Sequence, residues 1–345
     1  MDLSSISRRD FLAGASALVA ASLFGVPQSA LAEPPPETTT FRIAQGPFIC
    51  YAPQMLAEAM LRLEGFSKVE YVPVPAHYTY PTLVSDGGVD LAVFGPTSAL
   101  HALDEGWPLM MVTGLHVGCW ELFAKEDIRH VGELSGKRIA ILKDRAVDHL
   151  WIAAMLAYVG VHPEKEINWV STGKLSESMR LFLEGKVDAF LAFPPQPQEM
   201  RKLKAGHVIV NTTFDRPWSQ YFCCMAAMEK GFVQQNPVAT RRAIRALLKA
   251  TDLCSNEPEL AAQFLANQGY KFLANEGYEE RYDIALEVVN ELPYERWRTD
   301  NPEDTLRFHG LRLYEVGMLK THPNDLISMG ADFSFLNELK KELKA

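Results

Sequence analysis

The apolar positions of this chain fall into short runs separated by stretches of helical period, and the same succession occurs twice. One copy runs from Arg42-Ile43-Ala44 to Gly88-Val89-Asp90-Leu91-Ala92-Val93-Phe94-Gly95-Pro96. The other runs from Arg138-Ile139-Ala140 to Gly185-Lys186-Val187-Asp188-Ala189-Phe190-Leu191-Ala192-Phe193-Pro194. Ile43 corresponds to Ile139, Gly65 to Gly160, Val72 to Val170 and Val89 to Val187 at a nearly constant offset, which argues for one fold used twice. Each copy reads strand, helix, glycine stop, strand, loop, helix, glycine stop, strand. That alternation predicts parallel βαβ sheets, and right-handed crossovers bring the strands' carboxyl ends to one edge. Open α/β sheets bind ligands at that edge, so two facing lobes would enclose a cleft.

In chain order, strands are predicted at 41–45, 68–74 and 89–94, with Met55, Leu56, Ala59, Met60 and Leu63 marking the helix that Gly65 stops. Further strands are expected at 109–113 and 119–124, the second carrying the chain into the other lobe. After the second copy, Phe193-Pro194-Pro195-Gln196-Pro197 stops its strand, and 221–225 reads as a return strand. The remainder is helical, with Asn236-Pro237 and Asn301-Pro302 as cap and first-turn proline. This tail is expected to pack on lobe one. Asp90 and Asp188 precede a buried strand in both copies and read as turn-capping acids rather than catalytic ones.

Length and charge narrow the class. At 345 residues the chain exceeds what one core usually supports. A net charge of −9 argues against nucleic acid, which needs a basic face. Ser7-Arg8-Arg9-Asp10-Phe11-Leu12 followed by the mildly apolar run Ala13 to Val26 reads as a twin-arginine export signal, cleaved after Ala32 in Ala30-Leu31-Ala32. The plain alternative is an uncleaved helical anchor. The expected organisation is signal 1–32, flexible leader 33–40, lobe one from 41–121 and 225–345, and lobe two 122–224, placing the protein in the periplasm. The five cysteines, Cys50, Cys119, Cys223, Cys224 and Cys254, match no zinc spacing and read as buried small hydrophobes. A bridge from Cys119 to Cys223 or Cys224 is the alternative, since both stretches fall in the crossover between lobes.

Taken together, these residues resemble the extracytoplasmic substrate-binding proteins of ABC importers for nitrate, sulfonates, taurine and thiamine-type pyrimidines. The resemblance covers about 41–250, and its most specific parts are Leu134-Ser135-Gly136-Lys137-Arg138-Ile139-Ala140-Ile141 and the paired Gly87-Gly88-Val89-Asp90 and Gly185-Lys186-Val187-Asp188. It implies an α/β, two-lobed periplasmic-binding-protein fold of type II, with two duplicated parallel-type sheets flanked by helices and joined by two crossover strands. It further implies a hinge-closing monomer that hands a small-molecule solute to an ABC permease in the inner membrane, without catalysis, cofactor or metal.

Strand ends then give the candidate ligand-binding residues. From lobe one they are Gly46, Phe48, Tyr51, His77, Tyr78, Tyr80, Phe94, Thr97, Ser98 and Trp120; from lobe two, Asp144, Arg145, Asp148, His149, Trp151, Thr172 and Phe193; from the return crossover, Trp218 and Tyr221. Rings gathered at loop positions suggest faces that sandwich a flat or partly apolar molecule, although Phe48, Phe94, Trp151 and Phe193 could equally close the two cores. Thr97-Ser98 at a helix start suits an anionic group or serves as an ordinary cap. Arg145 is the candidate cation or a solvated charge. Asp144 and Asp148 suit a donor-bearing ligand, and His77 and His149 could tune binding with pH or simply hydrogen-bond. Two other readings stand beside the receptor. A pyrimidine-precursor synthase on the same fold is disfavoured because Cys223-Cys224 is only a pair, and a periplasmic sensor domain would contact a kinase instead of a permease.

Overall fold

The computed structural model describes residues 33–46, 48–74, 79–269 and 282–344. The export signal expected over 1–32, and candidates His77 and Tyr78, lie outside these residues. Two five-stranded sheets form the frame. The first contains β1 (Thr40–Gln45), β2 (Lys68–Pro73), β3 (Leu91–Phe94), β4 (Leu109–Val117) and β10 (Phe222–Glu229), in the order β2-β1-β3-β10-β4. The second contains β5 (Glu121–Ala124), β6 (Arg138–Ile141), β7 (Asn168–Ser171), β8 (Ala189–Ala192) and β9 (His207–Asn211), in the order β7-β6-β8-β5-β9. The two orders superpose strand for strand, as a duplicated chain requires.

The sheets are mixed rather than wholly parallel. Within each, the repeated strands run parallel, with Ile43 opposite Tyr71 and Leu91 in one and Ile139 opposite Trp169 and Ala189 in the other. Strand β10, however, lies antiparallel between β3 and β4, and β5 lies antiparallel between β8 and β9. The reason is topological: a chain that leaves one sheet for the other must run back along the last parallel strand it meets. The strands shared by the exchange are buried on both faces, which is why they read as continuous apolar runs.

Where β1 and β3 splay beyond their single paired position, the buried Gln54 replaces the ladder. Its Nε2 donates to Ala44 O and its Oε1 accepts from Val93 N at 2.8 Å. That bond pair ties the carboxyl ends of β1 and β3 together through one side chain.

Two expectations are corrected. Residues 33–40 are not a free leader: Glu37 accepts from the N–H groups of Val238 and Ala239 at the start of helix Pro237–Asn256, and Glu33 pairs with Arg241 and Arg245 of that helix. Acids that had no local partner in sequence find the unpaired N–H groups and cations of a helix two hundred residues away. The C-terminal helices also do more than cover the first sheet. Helix Pro302–Glu315 places His309 against Trp151 of helix Val147–Tyr158, with ring centres 4.5 Å apart. Arg201, from helix Gln196–Leu203, donates to Glu291 at 2.9 Å and Glu287 at 3.1 Å, and Arg145 donates to Met318 O at 2.6 Å. The tail therefore bridges both halves. No helix among the described residues is long and apolar enough to cross a membrane.

Candidate functional site

Two parallel strands of each sheet aim their carboxyl ends at one point between the sheets. Phe48 follows β1, Gly95 follows β3, Leu142 follows β6 and Phe193 follows β8, and all four line a cavity of about 50 Å³. Tyr51, Val147 and Leu175 complete its walls, and the crossovers supply Cys119, Trp120, Cys223 and Cys224, with Cys50 alongside. Among the described residues its lining bears no carboxylate, ammonium, guanidinium or imidazole. Space of this size holds a few waters or a small ion, well short of the several hundred Å³ usual for a drug-sized ligand.

The rings form a continuous path across the cleft. Tyr80 packs on Tyr51 at 5.7 Å, Tyr51 on Phe48 at 5.0 Å, Phe48 on Phe193 at 4.5 Å, and Phe193 on Trp120 at 5.1 Å. The Phe48 to Phe193 contact joins the two halves directly, so the cleft is closed in this structure. Gly46 belongs to the same wall: a Cβ there would lie 2.7 Å from the Tyr51 ring and 3.0 Å from the Tyr80 hydroxyl. Burial pushes the Tyr51 and Tyr80 phenols up, which keeps them neutral.

The remaining expected residues sit elsewhere. Phe94 is buried within β3. Thr97 is buried with its hydroxyl unpartnered, and neither it nor the half-buried Ser98 lines the cavity. Asp144 is exposed. Arg145 is turned to Met318 O and Glu164. His149 Nδ1 accepts from Arg145 N at 2.9 Å, so that atom carries no proton and its 3.2 Å approach to Asp144 is not an ion pair. Burial holds the His149 ring below its ordinary pKa, consistent with a neutral imidazole packed on Trp169. Asp148 caps its own turn, accepting from Leu142 N at 2.7 Å and His149 N at 2.9 Å, while burial pushes its carboxyl up to about 7. Thr172 bonds Ile141 O and Ser178. Trp151 is buried beside the cavity, its Nε1 about 3.1 Å from where a Gly95 Cβ would stand. Trp218 packs on Tyr158 and Phe308, and Tyr221 stacks on Phe308 with centres 4.0 Å apart and planes within 12°. These last two face the tail rather than the cavity, because the tail reaches the second half.

What the residue types alone missed is the thiol cluster. The sulfurs of Cys50, Cys119 and Cys224 all lie within 4.8 Å of one another, and Cys223 Sγ is 2.7 Å from Cys119 Sγ. The five cysteines are buried and unbridged. Burial pushes the Cys50, Cys119 and Cys223 thiols up. Burial opposes ionisation of Cys224 as well, but hydrogen bonds from the other three thiols outweigh it and hold Cys224 well below the ordinary thiol range. The strand-end rule that selects Phe48 and Tyr221 would have selected Cys50 and Cys223-Cys224 too, had thiols been admitted as ligand-facing groups.

The model of the NMT1-like family matches residues 34–266. No curated protein matches the chain in sequence. Among solved structures, the periplasmic nitrate-binding protein NrtA from Synechocystis PCC 6803 is similar at 17% identity and TM-score 0.67, over 90% of this chain and 90% of that one. The alkanesulfonate-binding protein SsuA from Xanthomonas axonopodis pv. citri, bound to MOPS, is similar at 15% identity and TM-score 0.66, over 86% of this chain and 99% of that one. The desulfurization enzyme DSZB shares the fold more loosely, at 15% identity and TM-score 0.52, over 89% of this chain and 99% of that one. At these identities the likeness is one of fold, and the fold is that of periplasmic binding proteins.

Proposed function

We propose that this chain, which belongs to the NMT1-like family, is the extracytoplasmic solute-binding component of an ABC importer, capturing a small solute between its two lobes and presenting it to a permease. The observation that carries this reading is the cavity itself: its walls come from the carboxyl ends of parallel strands in both sheets, so a solute there touches both halves at once. Such a site gains affinity by closure and needs no reacting group. The closed cavity holds only a few waters or a small ion, so a larger solute enters by opening of the Phe48 to Phe193 contact. The apolar, ring-lined walls then favour a partly apolar body over a bare anion, which would need donors. Export through the twin-arginine signal at Arg8-Arg9, with cleavage after Ala32, belongs to the same reading.

The test is a thermal-shift screen of the purified protein against sulfonates, taurine, nitrate, pyrimidines and aromatic acids, followed by calorimetry and small-angle scattering on any hit. One-to-one binding with a more compact bound form supports the receptor. A hit that is turned over, or an unchanged radius of gyration at saturation, overturns it.

A second reading is an enzyme that uses a cavity thiol. In sequence, Cys223-Cys224 is only a pair, which disfavours a pyrimidine-precursor synthase, yet folding brings Cys50 and Cys119 to the same cavity. The structural similarity to a desulfurization enzyme keeps this reading in view. Product formation that is abolished by thiol alkylation would favour it over the receptor.

A further inference from the structure

We propose that Cys50, Cys119 and Cys224 form a site for one soft, thiophilic metal ion of the Zn²⁺ or Cu⁺ class at the floor of the inter-lobe cavity. The three residues come from separate parts of the chain: Cys50 from the turn after β1, Cys119 from the crossover between β4 and β5, and Cys224 from β10. Their sulfurs nevertheless converge within 4.8 Å of one another. An ion with metal–sulfur bonds of about 2.3 Å holds tetrahedrally placed sulfurs about 3.8 Å apart, so small side-chain rotations would gather them. Thiolates select soft ions, and among the described residues no carboxylate lines the cavity to favour a hard one.

The backbone of Cys119 points the same way. It sits at φ 93°, where glycine would be unstrained, and its N–H is tied to Thr213 Oγ1 at 3.2 Å. A side chain held in that conformation is strained, so the position carries a sulfur against its backbone preference. Cys223 stands outside the trio whose sulfurs all converge on one another, its sulfur lying against that of Cys119 at 2.7 Å instead. The side of the trio facing the cavity is left for a water or a donor atom of a solute, the open position that separates exchanging zinc sites from closed structural ones.

This site does not depend on delivery to a permease, since it is read on the purified protein alone. The reduced protein, kept anaerobic, is titrated with Zn²⁺ in one arm and Cu⁺ in another against competing chelators, with X-ray absorption on the loaded form. The expected result in at least one arm is a single equivalent in a sulfur-dominated shell. Affinity should fall roughly tenfold or more in Cys50→Ser, Cys119→Gly and Cys224→Ser, and stay unchanged in Cys254→Ser, which alters the buried thiol of helix Pro237–Asn256. Cys119→Gly suits the local backbone and so separates loss of the ligand from loss of the fold. Failure of both ions to bind stoichiometrically, binding indifferent to all three substitutions, or a Cys119–Cys223 disulfide in the protein as isolated would each overturn the proposal.

Discussion

Asp90 accepts hydrogen bonds from both the backbone N–H of Arg42, at 2.7 Å, and its guanidinium. Asp188 holds Arg138 in the same two ways, with Lys125 added. In each repeat the acid thus locks the strand that opens the unit to the strand that closes it. Asp90 is the more buried of the two. Replacing Asp90 with Asn should therefore lower stability by about 1–3 kcal/mol, and Asp188→Asn should lower it less, because solvent replaces more of what Arg138 loses. Urea denaturation of the two variants checks the order. A larger loss at Asp188 would mean that Lys125, not burial, sets the strength of the lock.

Ring geometry separates two tryptophans that the sequence treats alike. Trp120 lines the cavity and packs on Phe193, whereas Trp218 lies among Tyr158 and Phe308. Against any solute found by thermal shift, Trp120→Ala and Phe193→Ala should weaken binding by at least several-fold, in keeping with the roughly 1 kcal/mol or more that a ring contact adds beyond its area. Trp218→Ala should leave affinity near that of the parent while lowering the melting temperature. Calorimetry and melting on the three variants distinguish cavity rings from packing rings.

The duplication and the strand ends were legible because they rest on period and punctuation: Ile43 and Ile139, and Gly65 and Gly160, mark equivalent points without any knowledge of contacts. The strand-end rule likewise points to Phe48, Tyr51, Trp120 and Phe193, which line the cavity. It overreached at Arg145 and Tyr221, since a loop position fixes where a residue starts and not which way its side chain turns. Met318 O and Phe308, which draw those side chains away, come from a tail whose docking left no local signal. The thiol cluster was hidden for a related reason. Its members lie in three segments that become neighbours only when the crossovers exchange between sheets.

Asp148 gives the fold a pH dependence of unusual sign. Its folded pKa, raised by burial to about 7, lies above the unfolded value near 3.9. Between those values the folded state binds the extra proton, so this group's contribution is full below about pH 4 and is lost as pH rises through 7. Asp148→Asn should remove that slope, so that the variant's stability relative to the parent rises as pH increases from 4 to 7. Denaturation at a series of pH values tests it, and an unchanged slope would show that the two backbone N–H bonds keep the carboxylate ionised.

His309 should oppose Asp148 over nearly the same range. Its ring is buried against Trp151 with both nitrogens unpartnered, and burial lowers its pKa to about 3. Below the unfolded value near 6.5, the unfolded chain gains a proton that the folded state refuses. Stability is therefore present above about pH 6.5 and is lost as pH falls toward 3, by up to about 1.4 kcal/mol for each pH unit. Between pH 4 and pH 6.5 the two slopes have opposite signs and similar size, so the parent's stability should be nearly level with respect to this pair. His309→Phe keeps the ring and removes both nitrogens. It should expose the falling slope of Asp148, with the variant gaining on the parent as pH drops from 6.5 to 4. Combining it with Asp148→Asn should restore the level profile. A single variant as flat as the parent would mean that its group does not titrate inside this window.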